Sequence, residues 1–307
     1  MIRVKGNIIL IISLSFLSCF SARGADLVSH PVDSINQANS NHSLFLGAGH
    51  GDNLILGSSI SKAQSYYYGS AGYSFKDEFS LSASSFFLPE YTEFPAFGAV
   101  SAGYNHTFNS WFDVAVSLSG YGINKKLTDT LFASFLYGEL SAGFDWKIAY
   151  TKITFSRVLT GNTTDFLQLR NSRYFQIPDF FRGKIYLSVD PYVNLLFGSM
   201  TRITTNDRTS IGVDSPVWTG GGYGNRPGGG KKPGQGNGSG SGSGGEATVS
   251  SVFFGLMEAD FGIPVGINAG RITIEAEPGY ILPLYTDDSF PSPKGFTMML
   301  NCFFRIL

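Results

Sequence analysis

The stretch that most limits what this chain can fold into is 295–307, Gly-Phe-Thr-Met-Met-Leu-Asn-Cys-Phe-Phe-Arg-Ile-Leu. Phe296, Met298, Leu300, Cys302, Phe304 and Ile306 share one parity and are all apolar, whereas Thr297, Asn301 and Arg305 fall on the other. A strand sends alternate side chains to opposite faces, so this segment has one apolar face and one face that holds every polar group. The same period recurs upstream. Phe79 and Leu81 oppose Ser80, Ser82 and Ser84, and Val100, Ala102, Tyr104 and Phe108 oppose Ser101, Gly103 and Asn105. Phe112, Val114, Val116 and Leu118 oppose Asp113, Ala115, Ser117, Ser119 and Tyr121. Leu136, Leu140 and Phe144 oppose Tyr137, Glu139, Ser141 and Asp145, and Ile153 and Phe155 oppose Lys152, Thr154 and Ser156. In 185–197 the apolar set is Ile185, Leu187, Val189, Val193, Leu195 and Phe197, against Lys184, Tyr186, Ser188, Asp190, Tyr192 and Asn194. Pro191 interrupts that segment and predicts a local bulge, because it has no N–H for the ladder. Phe253, Met257, Ala259 and Phe261 are set against Glu258 and Asp260, and Ile272, Ile274 and Ala276 against Arg271, Thr273, Glu275 and Glu277.

A soluble sandwich would also alternate, so the surroundings of the apolar face have to come from elsewhere. Charged residues make up 15% of the 307, below the roughly 25% of soluble domains, and aromatics another 15% with 27 Phe and 15 Tyr. Beyond the N-terminus no run approaches the roughly 18 apolar residues of a spanning helix. If this chain crosses a bilayer it does so with strands, since every backbone polar group must then be satisfied inside the protein. Several segments exceed ten residues, enough for a tilted crossing, and aromatics gather near their ends, as in Tyr66-Tyr67-Tyr68, Phe86-Phe87 and Trp111-Phe112. The terminal amphipathic strand ending in Phe304 and Ile306 resembles the closing strand of bacterial outer-membrane β-barrels. That resemblance implies an insertion signal at Phe304 and Ile306, an outer-membrane location, and contact with the lipid bilayer and the outer-membrane insertion machinery. The expected fold is all-β, a single antiparallel transmembrane barrel of about 12 strands, with 10 or 14 as alternatives.

Connections support the same picture. Those at 76–78, 109–110, 146–147, 179–183 and 267–270 are tight, and those at 88–95, 124–129, 161–164, 201–246 and 286–294 are mostly longer. Outer-membrane barrels have short periplasmic turns and longer extracellular loops. Residues 1–24 read as a signal peptide, with Arg3 and Lys5 ahead of an apolar run and small residues Ala22 and Gly24 before the cleavage point. Cys19 as a lipidated residue is the rival reading, opposed by Phe16 where a lipobox calls for Leu. If Cys19 leaves with the signal, Cys302 has no intrachain partner for a disulfide and serves as a small hydrophobe. Residues 25–43 form a periplasmic leader and 44–307 the barrel. Within it, 44–60 reads as two short strands or one interrupted strand around the turn at His50-Gly51-Asp52-Asn53. The extracellular insert 201–246 contains a Gly- and Ser-rich part, 220–245, expected to be disordered. Its Gly228-Gly229-Gly230-Lys231 is not a phosphate loop, because Asn225 and Lys232 stand where Gly and Ser or Thr are required.

The polar parity defines the expected interior. Asp113, Glu139, Asp145, Lys152, Lys184, Asp190, Glu258, Asp260, Arg271, Glu275, Glu277 and Arg305 face the lumen on this register. Such a lining suits a porin-like channel or passive transporter for small polar solutes, cationic or neutral. The alternative is a bore braced shut by its own side chains, in a non-conducting structural or accessory subunit of a surface assembly. A hydrolase at the outer rim is the weakest reading. His30, His42, His50 and His106 all fall outside the expected outer loops, which leaves a nucleophile there without its base. Asp287-Asp288, in the last outer loop, reads as a solvated pair. No Cys/His metal cluster or cofactor motif is present, and a net charge of −1 gives no basic footprint for nucleic acid.

Overall fold

The computed structural model describes residues 41–161, 163–180, 185–204, 209–213, 249–285 and 293–307. The alternating segments all become strands. In chain order they are β1 (His42–Gly51), β2 (Leu54–Leu56), β3 (Ile60–Lys62), β4 (Tyr66–Phe75), β5 (Phe79–Phe87) and β6 (Phe97–Asn109). Next come β7 (Phe112–Ile123), β8 (Phe135–Asp145), β9 (Tyr150–Val158), β10 (Asp165–Ser172), β11 (Phe175–Phe180) and β12 (Ile185–Val189). The last six are β13 (Tyr192–Thr204), β14 (Thr209–Val213), β15 (Val249–Gly262), β16 (Val265–Ala269), β17 (Ile272–Pro283) and β18 (Gly295–Arg305). Twelve of them form a closed antiparallel ring in the order β1-β4-β5-β6-β7-β8-β9-β10-β13-β15-β17-β18. The ring shuts where β18 pairs with β1, from Phe45 opposite Arg305 to Gly51 opposite Met299. Closure removes the sheet edges, which is the condition for a β-structure to sit in hydrocarbon.

Three further strands lengthen the wall below the ring. Ser172 of β10 stands opposite Tyr192 of β13, and Phe175 of β11 opposite Val189 of β12, which is the same register carried across a break. Tyr192 opposite Gly262 and Val189 opposite Val265 likewise put β12–β13 and β16–β15 in one register. The breaks fall at Arg173-Tyr174, Asp190-Pro191 and Ile263-Pro264. Pro191 and Pro264 cannot donate to the ladder, so the strands bend there without slipping. The interruption expected at Pro191 is therefore real, and it is a break rather than an inserted residue.

Side chains on the apolar parity face outward. Leu81, Val100, Leu118, Leu140, Phe155, Ile274, Leu282, Leu300 and Phe304 are all exposed, and together they make a surface suited to lipid. Cys302 lies on it as a free thiol. The tight turns gather at one end, where Lys76 and Asp77 adopt positive φ in the β4–β5 hairpin. The long connections leave from the other end, so by the rule for such barrels the first end is periplasmic.

Four details differ from the sequence reading. β1 begins at His42, so the barrel starts two residues before 44, and His42 bonds Tyr73 Oη through Nδ1 at 2.6 Å. Segment 44–60 is one full strand followed by a separate short hairpin, β2–β3. In β15 the parity flips, because Leu196 faces Glu258 while the next residue, Phe197, faces Leu256. This bulge turns Met257 inward, where it is buried, packs Phe253 against the interior and sends Phe254 out. Finally, β13 runs to Thr204 and β14 pairs back on it, so the insert at 201–246 opens with strand structure. Residues 1–40, with the signal peptide, Cys19 and most of the leader, lie outside the described residues, as do Lys184, 214–248 with the Gly- and Ser-rich stretch, and Asp287-Asp288.

Candidate functional site: a roofed vestibule

Between β1 and β4 the chain does not form an outer loop. It turns inward at residues 52–65 and carries the β2–β3 hairpin across the bore. Asp52 fixes the point of entry, its carboxylate accepting from Met298 N at 3.0 and 3.1 Å. The hairpin is amphipathic. Leu54, Leu56 and Ile60 on one face are almost fully buried, each such burial worth about 1.5–3 kcal/mol. Asn53, Ile55 and Ser61 on the other face line a cavity.

Gly57 makes the tip. Its φ of +60° is a left-handed conformation that favours glycine, and a Cβ there would lie 2.1 Å from the Tyr137 ring. The tip reaches the wall formed by β7, β8, β9 and β10. Gly57 N donates to Tyr121 Oη at 2.7 Å and Ser58 N to Glu139 Oε1 at 3.0 Å. Ser59 Oγ meets Ser156 Oγ at 3.0 Å, and Gln168 Nε2 donates to Ser58 O at 3.2 Å. Glu139 is completed by Ser117 Oγ, which donates to Oε2 at 3.0 Å. Backbone donors that enter a barrel interior need such acceptors, since no ladder partner exists for them.

Above the hairpin the described side chains pack into the bore. Leu54, Leu56 and Ile60 join a buried cluster with Phe86, Phe97, Tyr121, Phe135 and Tyr137 from the wall and Leu88, Leu127, Leu131, Phe132 and Tyr285 from the outer connections. Phe86 stacks on Phe97 at 4.2 Å, and Phe132 meets Phe97 edge-on at 5.2 Å. Below it lies a cavity of 1680 Å³ whose lining runs from Ser58, Ser59 and Ser61 on the hairpin down to Asp77, Ser110, Trp111 and Arg305 at the periplasmic turns. The result is a vestibule open to the periplasm and roofed toward the outside.

Eleven of the twelve charged residues assigned to the lumen from sequence line this vestibule; Lys184 is the one outside the described residues. Asp52, Asp77, Arg170 and Arg173 join them, giving ten carboxylates against five cations. Charge is not spread evenly. Strands β5 to β7 present mainly Ser80, Ser82, Ser101, Ser117 and Ser119, while most charges stand on β8 through β18. There Tyr150 Oη donates to Asp113, Tyr192 Oη to Glu277 Oε1 at 2.7 Å, and Asn194 Nδ2 to Asp260 Oδ2 at 2.6 Å. Asn301 Nδ2 donates to Glu275 at 3.2 Å and its Oδ1 accepts from Tyr68 Oη at 2.6 Å. Arg170 lies 4.0 Å over the Tyr192 ring and 3.8 Å from Asp190, and Arg173 is 3.8 Å from Asp145. These pairings brace the wall without filling the space.

Sequence reasoning misses the roof: it places Asp52 and Asn53 in a turn and Gly57 and Ser58 in a short strand, and gives Ser61 no role. One signal was present. Phe86 continues the inward parity of Ser80, Ser82 and Ser84, and Tyr121 and Tyr137 continue those of their own strands, so bulky rings point into the bore near one end. Large inward aromatics need apolar company, and Leu54-Ile55-Leu56 is the nearest short apolar run that could supply it. Phe304 faces outward, and Ile306 N donates to Leu44 O at 2.8 Å beyond the end of β18. Among the described residues, no His, Cys, Asp and Glu side chains group in a way that could hold a metal ion.

No family model matches the chain, and no curated protein matches it in sequence. Among solved structures, LpxR from Salmonella typhimurium aligns at a TM-score of 0.41 and 7% identity, over 85% of this chain and 99% of its own. A bacterial polysaccharide outer membrane secretin aligns at 0.38 and 7% identity, over 87% of this chain and 98% of its own. OccK2 of Pseudomonas aeruginosa aligns at 0.25 and 7% identity, over 86% and 96%. Likeness at this level speaks to neither activity nor substrate. The ring, its closure and its coating are sufficient by themselves: a sheet without edges, wrapped in apolar side chains and wet within, makes this chain an integral outer-membrane β-barrel.

Proposed function

We propose that the barrel is a gated conduit for small neutral or cationic solutes, and neither an enzyme nor an open porin. The observation that carries this reading is the hairpin at residues 52–65, which divides the bore into a sealed outer half and an acidic vestibule continuous with the periplasm. Ten carboxylates against five cations favour positive over negative solutes inside a low-dielectric wall. The tip of the hairpin is held by hydrogen bonds to Tyr121, Glu139, Ser156 and Gln168. Such contacts exchange with water at modest net cost, about 0.5–1.5 kcal/mol for the neutral ones and about 1.5–3 kcal/mol for the one to Glu139, so they suit a part that has to let go.

A second reading has its own support. The apolar cluster above the hairpin is contributed by outer connections as well as by the wall, which favours a barrel that stays shut and presents its loops to a surface assembly.

Conductance in planar bilayers separates the two. The intact barrel is expected to stay at baseline, and a variant with 53–64 replaced by a short Gly-Ser link is expected to give discrete, cation-selective steps. Steps from the intact protein would overturn the closed resting state. A folded, hairpin-less barrel that still fails to conduct would favour the permanently shut alternative.

A further inference from the structure

The underside of the roof carries a group that the hairpin itself does not use. Asn53 is 8% exposed and neither Oδ1 nor Nδ2 has a hydrogen-bond partner, an arrangement that buried amides avoid unless something else completes them. Ile55 pairs with Ser61 and Leu54 with Lys62, which sets Asn53 on the same face as Ile55 and Ser61, and all three line the vestibule. Ser61 in turn hydrogen-bonds the carboxyl of Glu258, itself buried on β15. Two residues along the same strand Asp260 faces the same way and accepts from Asn194, whose own Oδ1 is buried without a partner. One corner of the vestibule, directly beneath the roof, thus offers two carboxyl groups and two amide oxygens, with Arg170 opposite Asn194 on the adjoining strand.

We propose that this corner binds a small aliphatic diamine that enters from the periplasm; the inference rests on the conduit reading in so far as it needs the vestibule to be open on that side. An alkylammonium carries three N–H donors and no acceptor, which matches the carboxyl and amide oxygens of this corner and serves Asn53 Oδ1 but not its Nδ2. The acids are strung along a strand and do not gather about a point: among the described residues none form a group fit for a metal ion. Alternate residues on one face of a strand are about 6.8 Å apart, so Glu258 and Asp260 are spaced for two ammonium groups joined by a four-carbon chain. Glu258 is also the contact between hairpin and β15. An ammonium seated on it competes with Ser61, so occupancy of the corner loosens the roof.

The test is calorimetric titration of the full-length barrel in detergent with 1,4-diaminobutane, 1-aminobutane and magnesium chloride. The diamine is expected to bind, and about tenfold or more tightly than the monoamine. Glu258→Gln, which keeps a partner for Ser61, is expected to lose about tenfold or more in affinity. Asn53→Ala is expected to bind more weakly, and Ser61→Ala more tightly because the competitor is gone. Heat-modifiable gel migration confirms that each variant is a folded barrel. Absence of diamine binding to the intact protein, undiminished binding by Glu258→Gln, or equal binding of magnesium would each overturn the site. Conductance of the hairpin-less barrel combined with no diamine binding by the intact one removes this site alone. Diamine binding combined with a hairpin-less barrel that does not conduct keeps the site and removes the conduit.

Discussion

The two halves of the bore share one twelve-stranded ring, which β11, β12 and β16 lengthen toward the periplasm, and they are filled in opposite ways. Toward the outside, Leu54, Leu56 and Ile60 pack with Phe86, Phe97, Phe132 and Tyr137 into a dry plug. Toward the periplasm, the inward parity carries Ser82, Ser101, Ser119 and Ser141, with acids mostly on β8 through β17, around an open cavity. Strand alternation decides only which side chains point inward. What the interior becomes depends on whether the chain has a segment to put there, and the β1–β4 connection supplies one for the upper half alone.

Placing one charge in each half tests this contrast most severely. Leu56→Asp removes a fully buried side chain and leaves a carboxylate among hydrocarbon. It is expected to cost at least the about 2–5 kcal/mol of a buried Leu→Ala change, read as a lowered urea midpoint in detergent, and to release the hairpin so that conductance steps appear. Next in size is Glu139→Ala, which strips Ser58 N and Ser117 Oγ of a charged acceptor at 3.0 Å. Hydrogen bonds of that kind contribute about 1.5–3 kcal/mol, and faster protease nicking at 57–59 would register the loosened tip. Gly57→Ala is expected to lose about 1–2 kcal/mol from its left-handed backbone, with the Tyr137 ring forced aside and its fluorescence environment altered. The smallest effect belongs to Ala115→Asp, on the vestibule wall. It adds the same charge as Leu56→Asp, yet its unfolding free energy from urea titration should stay within about 0.5 kcal/mol of the parent. A cost at 115 comparable to that at 56 would mean that the lower half is not wet.

How far the sequence spoke for itself follows the same division. The wall was legible because period-two patterning is enforced along every strand by two different media: Phe79 and Leu81 must face lipid, Ser80 and Ser82 must face water, and a one-residue slip would exchange them. That is why the strands and the closed twelve-strand ring could be read from alternation. Inside the upper half both media are apolar, so the rule loses its contrast. Leu54-Ile55-Leu56 has the composition of a lipid-facing segment, and nothing in three residues says that its neighbours are Phe132 and Tyr137. Met257 was misassigned for a related reason. A bulge changes parity without changing composition, and only the pairing of Leu196 with Glu258 and of Phe197 with Leu256 exposes it. Asn53 could not have been singled out at all, since an asparagine next to a turn is ordinary until its amide is seen buried and unmatched.

The hairpin also dictates a building order. Its apolar face is covered from above by Leu88, Leu131 and Phe132, which belong to connections between later strands. Those connections have nothing to fold onto until residues 52–65 lie across the opening, and once they have settled the opening is no longer there to be entered. Assembly in the membrane is therefore expected to seat the hairpin before the outer connections close over it, and a slow step in that seating would leave a barrel that is fully zipped and still ajar.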